Sequence, residues 1–138
     1  MTARGLLDLV KVEDSVNDIS YIIEHSTPTA EMYELRGLAR TVQHRTADAI
    51  EDLSRAIELE PQTIRLRQAR AALRADAQDI SGTIEDVNVI LGSNPVHRSA
   101  RLMRANALIE HRNFAPALSD LDVLLEARTL FSEDTELL

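Results

Sequence analysis

Four stretches of this chain align without a gap at a spacing of 34 residues. They are residues 15–27 (SVNDISYIIEHST), 49–61 (AIEDLSRAIELEP), 83–95 (TIEDVNVILGSNP) and 117–129 (ALSDLDVLLEART). Asp18, Asp52, Asp86 and Asp120 hold one slot in all four, and Arg36, Arg70 and Arg104 form a second ladder in step. Such a period means one small structural unit stacked on itself, since a unit of this size cannot bury its apolar face alone. Chains of this kind work by presenting a surface.

The repeated block has the spacing of a helix. Residues 49–61 place Ala49, Ile50, Leu53, Ala56 and Ile57 on one stripe, and the next blocks repeat it with Ile84, Val87, Ile90, Leu91 and with Leu118, Leu121, Leu124, Leu125. This is helix B of each repeat. Residues 30–45, 64–78 and 98–112 are helical in pattern too and are helix A. Pro61 and Pro95 follow helix B, where proline stops a helix, and Pro28 and Pro116 sit near helix starts. Ser81 and Asn113 are the expected N-caps of the helices after them. With 44% hydrophobic residues but only two tyrosines and two phenylalanines, the core is expected to be aliphatic.

Residues 30–61, AEMYELRGLARTVQHRTADAIEDLSRAIELEP, resemble a tetratricopeptide repeat, whose pattern is W-x2-L-G-x2-Y, then A-x3-F, then P. Tyr33 stands in the Trp slot, Gly37 in the Gly slot, Ala49 and Leu53 in the A-x3-F slots and Pro61 in the Pro slot, while Arg36 and Arg40 replace Leu and Tyr. The second repeat keeps Val87 and Pro95, and the third keeps Ala117 and Leu121. The resemblance implies an all-α, right-handed solenoid of antiparallel helix-turn-helix repeats. It divides the chain into a shortened leading repeat (1–29), repeats 30–63, 64–97 and 98–131, and a tail (132–138). In the leading repeat Arg4-Gly5 would answer to Arg36-Gly37, with two residues missing from the turn.

The two ladders point to ion pairs. A guanidinium holds a carboxylate through two parallel bonds, so an arginine can replace the family's leucine if its partner is fixed. Arg36, Arg70 and Arg104 are expected to pair with Asp52, Asp86 and Asp120 and to set the register of helix A on helix B. The competing reading is a row of ligand-binding arginines.

The resemblance places helix A on an inner, concave face. Helix A of the second repeat carries Arg65, Arg67, Arg70 and Arg74, and that of the third carries Arg98, Arg101 and Arg104, whereas the helix-B blocks are acidic. The inner face is therefore expected to attract an acidic peptide or partner segment. Arg65, Arg98 and Arg101 are the candidate contacts, with Leu38, Leu102 and Asn106 beside them.

Other function classes lack support. The net charge of −8 argues against non-specific nucleic-acid binding. No cysteine is present, and His25, His44, His97 and His111 stand apart, so no metal site or other cofactor is expected. No phosphate loop, GxSxG or HExxH occurs, so no enzyme is expected. No apolar run approaches the ~20 residues that span a bilayer, and the N-terminus lacks a signal-peptide pattern; the expected location is the cytoplasm. The function expected is a non-catalytic protein-interaction scaffold. The alternative is self-assembly, or a piece of a longer solenoid, with Ser132 capping at most one short turn and Phe131, Leu137 and Leu138 forming an end-to-end homodimer contact.

Overall fold

A computed structural model describes the backbone of residues 2–136, and their side chains except those of Leu7 and residues 129–136. Every regular element among these residues is an α-helix. In order they are α1 (Ala3–His25), α2 (Ala30–Val42), α3 (Thr46–Leu59), α4 (Ile64–Asp76), α5 (Ile80–Ser93), α6 (Arg98–Glu110) and α7 (Phe114–Glu136). Helices α2, α4 and α6 are the three A helices; α3, α5 and α7 are the B helices. The chain divides into two compact units, Met1–Leu73 and Arg74–Leu138.

In the first unit α2 packs on α3, and α1 packs on α2. Ala49, Leu53, Ala56 and Ile57 of α3 meet Ala30 of α2 and Leu66 and Leu73 of α4, with Tyr33, Ile50 and Ala69 at the margin. The alanines let the helices close, and the buried leucines and isoleucine each supply about 1.5–3 kcal/mol of transfer free energy. In the second unit α6 packs on both α5 and α7. Val87, Ile90 and Leu91 of α5 are buried, as are Ala100, Ala105 and Ala107 of α6.

The tight A-to-B turns share one backbone device. His44, Gln78 and Arg112, each 34 residues from the next, have positive φ of 59°, 63° and 57°. Each is followed by an N–H that reaches back five residues, Arg45 to Arg40, Asp79 to Arg74 and Asn113 to Leu108, all at 2.8 Å. With the bond that each positive-φ residue makes three residues back, at 2.9–3.0 Å, this is the Schellman closure that satisfies the last carbonyls of a helix.

Three expectations change. Ser81 does not cap α5: Asp79 does, accepting from the Gly82 N–H at 3.0 Å, because α5 begins at Ile80 and Ser81 already lies inside it. The leading segment is not a shortened helix pair but the unbroken α1. No proline interrupts residues 4–14, and Asp18 falls on an exposed face of the helix. At the other end α7 runs through residues 128–136, so Ser132 starts no separate turn; Thr129 stands where Pro61 and Pro95 stop α3 and α5. Of the end residues named above for self-association, Leu137 and Leu138 lie outside the described residues, as does the side chain of Phe131.

Candidate protein-interaction surface

The aspartates of the ladder are nearly inaccessible: Asp52 is 1% exposed, Asp86 0% and Asp120 1%. A buried carboxylate must be paired, and each one meets arginines from an A helix. Arg36 donates to Asp52 from Nε and from Nη2, the latter at 2.7 Å, and Arg40, one turn on, adds a bond from Nη1 at 2.8 Å. Arg104 grips Asp120 through Nε at 2.8 Å and Nη2 at 2.5 Å, and Arg101 adds Nη1 at 2.9 Å. Arg74 donates to Asp86 at 3.0 Å.

The ladder arginines also reach backwards. Arg36 donates to Ser20 at 3.2 Å, Arg70 to Ser54 at 3.0 Å and Arg104 to Asn88 at 2.9 Å, each across 16 residues. Ser20, Ser54 and Asn88 are themselves 34 apart and lie two residues beyond the aspartate slot. Arg36 and Arg104 thus each tie the helix before their own to the helix after it. Hydrogen bonding to Asp52 holds the Arg36 guanidinium still more firmly protonated than usual, and Asp120 does the same for Arg104.

These pairings decide which candidate residues are available. Arg101 is turned inward, donating to Asp120 and, from Nε, to the Pro95 carbonyl at 2.6 Å. Arg65 is exposed and lies in a two-bond pair with Glu34, at 3.0 and 2.8 Å, that holds the Glu34 carboxyl below the usual carboxylate range. Arg98 is exposed and, among the described residues, has no ion partner. Leu102 and Asn106 follow it at four-residue steps along α6, both exposed. In the first unit Leu38 sits in an exposed apolar run with Leu35 and Val42; the three are 53%, 49% and 55% exposed. The expected dense basic face is therefore thinned, because Arg74, Arg101 and Arg104 turn to helix-B carboxylates.

Two hollows border α6. A groove of about 600 Å³ is lined by Arg98 and Leu102 and by Leu121, Leu124, Leu125 and Arg128 of α7. A smaller one, of about 290 Å³, has Asn106, Met103 and Glu110 on one side and Asp76, Gln78 and Thr83 on the other. The histidines do local work: the His97 ring accepts the Ala100 N–H, and His25 stacks on Tyr21. Among the described residues no group of metal-ligating side chains occurs, and no helix is long and apolar enough to cross a membrane.

No family model matches the sequence, and no curated protein does. Solved structures do. MamA is 18% identical and superposes with a TM-score of 0.79 over 92% of this chain and 74% of that one. A tetratricopeptide repeat protein from Parabacteroides merdae is 20% identical with a TM-score of 0.79, over 90% of this chain and 50% of that one. YrrB, a TPR protein with an unusual peptide-binding site, is 14% identical with a TM-score of 0.76, over 93% of this chain and 67% of that one. The helix pairs, their 34-residue period and these superpositions agree: the chain has the tetratricopeptide-repeat fold.

Proposed function

We propose that this chain is a non-catalytic protein-interaction scaffold that takes up a segment of a partner protein along the exposed stripes of its A helices. The observation that carries this reading is the apolar run of Leu35, Leu38 and Val42 on α2, which the fold leaves open although it buries smaller residues elsewhere. Runs of this kind mark interaction sites more often than isolated exposed leucines do. On α6, Arg98, Leu102 and Asn106 offer a cation, an apolar anchor and an amide on one face. The α2 stripe fits a segment with apolar anchors, and the α6 stripe fits one that sets an acidic residue against Arg98 and an apolar residue against Leu102. The peptide-binding site named for YrrB is a precedent on the same fold.

The test compares capture of partners from source-cell lysate by wild type, Leu38→Glu and Arg98→Glu, with folding checked by circular dichroism. A partner bound directly by purified wild type and weakened about tenfold or more by Leu38→Glu supports the reading. Arg98→Glu is expected to lower affinity less and to remove most of its salt dependence. Partners retained at full strength by both variants overturn it.

A further inference from the structure

The groove on α7 is lined by residues whose counterparts one and two periods earlier are buried where the next A helix packs. In the first unit the B-helix residues Leu53, Ala56 and Ile57 are buried with Leu66 and Leu73 of the next A helix. In the second, α6 packs on α5, whose Val87, Ile90 and Leu91 are buried. The residues one period on are Leu121, Leu124 and Leu125, and they line an open groove, with Leu125 60% exposed and Leu118, two turns earlier on the same helix face, 59% exposed. The polar slot repeats too. Ser20, Ser54 and Asn88 each receive an arginine from the following A helix, and the next in line is Asp122, which is exposed. Because α7 stays helical where α3 and α5 end, none of the described residues turns back into the groove in register.

What fits this seat can be read from what fits the other three. Each A helix brings an apolar residue, an arginine four on, and an apolar residue three beyond: Met32, Arg36 and Ala39; Leu66, Arg70 and Leu73; Ala100, Arg104 and Ala107. The helical sequence outside the A helices that has the same spacing is on α7 itself: Leu124, Arg128 and, at position 131, a phenylalanine. Leu124 and Arg128 line the groove. Neighbouring A and B helices in this fold run antiparallel. An antiparallel pair of α7 helices centred on Leu125 sets Asp122 of one against Arg128 of the other, and the reverse, because both lie three residues from the centre.

We infer that the groove is a self-association surface filled by α7 of a second copy, in a two-fold pair closed by Leu118, Leu121 and Leu125 and by two reciprocal Asp122–Arg128 ion pairs. A surface that is its own complement closes as a dimer and does not extend into a fibre. The inference does not rest on the partner-binding reading, whose critical stripe lies on α2; Arg98 and Leu102 of α6 border this groove as well, so an α7 pair and a partner on α6 would compete for them.

The experiment is sedimentation equilibrium of the full chain between about 1 µM and 1 mM, with the single variants Asp122→Arg and Arg128→Asp, the double charge swap, and Leu125→Glu. These residues are exposed, so folding is expected to survive and is checked by circular dichroism. Wild type is expected to move to twice its 15.4 kDa mass. Each single reversal sets like charges together twice per dimer and is expected to weaken association about tenfold or more. The double swap should recover to within roughly threefold of wild type, and Leu125→Glu should leave a monomer. A wild type that stays monomeric throughout overturns the inference and leaves the seat to a foreign helix. A dimer indifferent to the single reversals, or one that the double swap fails to restore, also overturns it.

Discussion

Asp52 shows how much depends on one carboxylate. It is buried, two arginines converge on it, and it lies between α2 and α3. Asp52→Ala strands two guanidiniums, and urea unfolding is expected to show a loss of about 3–5 kcal/mol. Arg36→Leu leaves Arg40 on the aspartate and is expected to lose only about 1.5–3 kcal/mol. Equal losses would mean that Arg40 does not share the pair. The 16-residue offset of Arg36 from Asp52 stands out in the sequence because the letters recur. The second arginine does not: Arg40 and Arg74 occupy one slot, but the third repeat has Leu108 there and uses Arg101, two turns earlier. Glu34 gives a pH signature. Its folded carboxyl titrates below the ordinary range because Arg65 is bonded to it, so the pair's contribution is complete at neutral pH. It is lost as pH falls through the lowered folded value. Arg65 is fully solvated, so the effect on stability is small, and the measurement is the NMR titration midpoint of Glu34. Arg65→Gln should return that midpoint to the usual carboxylate value; an unchanged midpoint would break the assignment.

The helices are held by their ends as much as by their faces. The left-handed positions His44, Gln78 and Arg112 are exposed and non-glycine, so each carries a steric penalty of roughly 1 kcal/mol. Gln78→Gly is expected to stabilise by up to about 1 kcal/mol, reduced by the added freedom of the unfolded chain. A lower melting temperature would contradict the Schellman reading of this turn. Two of the helical glycines should respond differently from each other. An added Cβ at Gly37 meets the Ala49 carbonyl and the Asp52 Cβ at 3.4 Å, ordinary contact, and the matching positions are Ala71 and Ala105. Gly37→Ala is therefore expected to raise stability by about 0.5–1 kcal/mol. At Gly82 the same atom collides with the capping Asp79 carboxylate, so Gly82→Ala should gain nothing, as the lost cap offsets the better helix former. Thermal melts of the two variants check both statements. The turns were located by the period and by Pro61 and Pro95, but the left-handed residues were not. Glycine is the usual marker of that conformation, and here the chain uses His, Gln and Arg.

At the scale of the molecule, the period carried most of what the sequence can tell. It separates three A helices from three B helices because the apolar stripe recurs in register with the aspartates. It fails at both ends for a physical reason: the repeat describes interior neighbours, whereas α1 runs unbroken where a helix-pair turn was expected and α7 lacks the proline that stops α3 and α5. The availability of each arginine was equally hidden. Arg98 and Arg101 look alike in a list of charges, yet Arg101 is turned to Asp120 and Arg98 is not, a difference set by three residues of helical rotation. The central claim is that partners meet the A-helix stripe. It is tested most directly by photo-crosslinking in the source cell, with a photoreactive residue at Leu38 on α2 or, as the control, at exposed Glu51 on α3. We predict adducts with another protein from position 38 and none from position 51. Adducts from position 51 alone, or equally from both, would contradict the account.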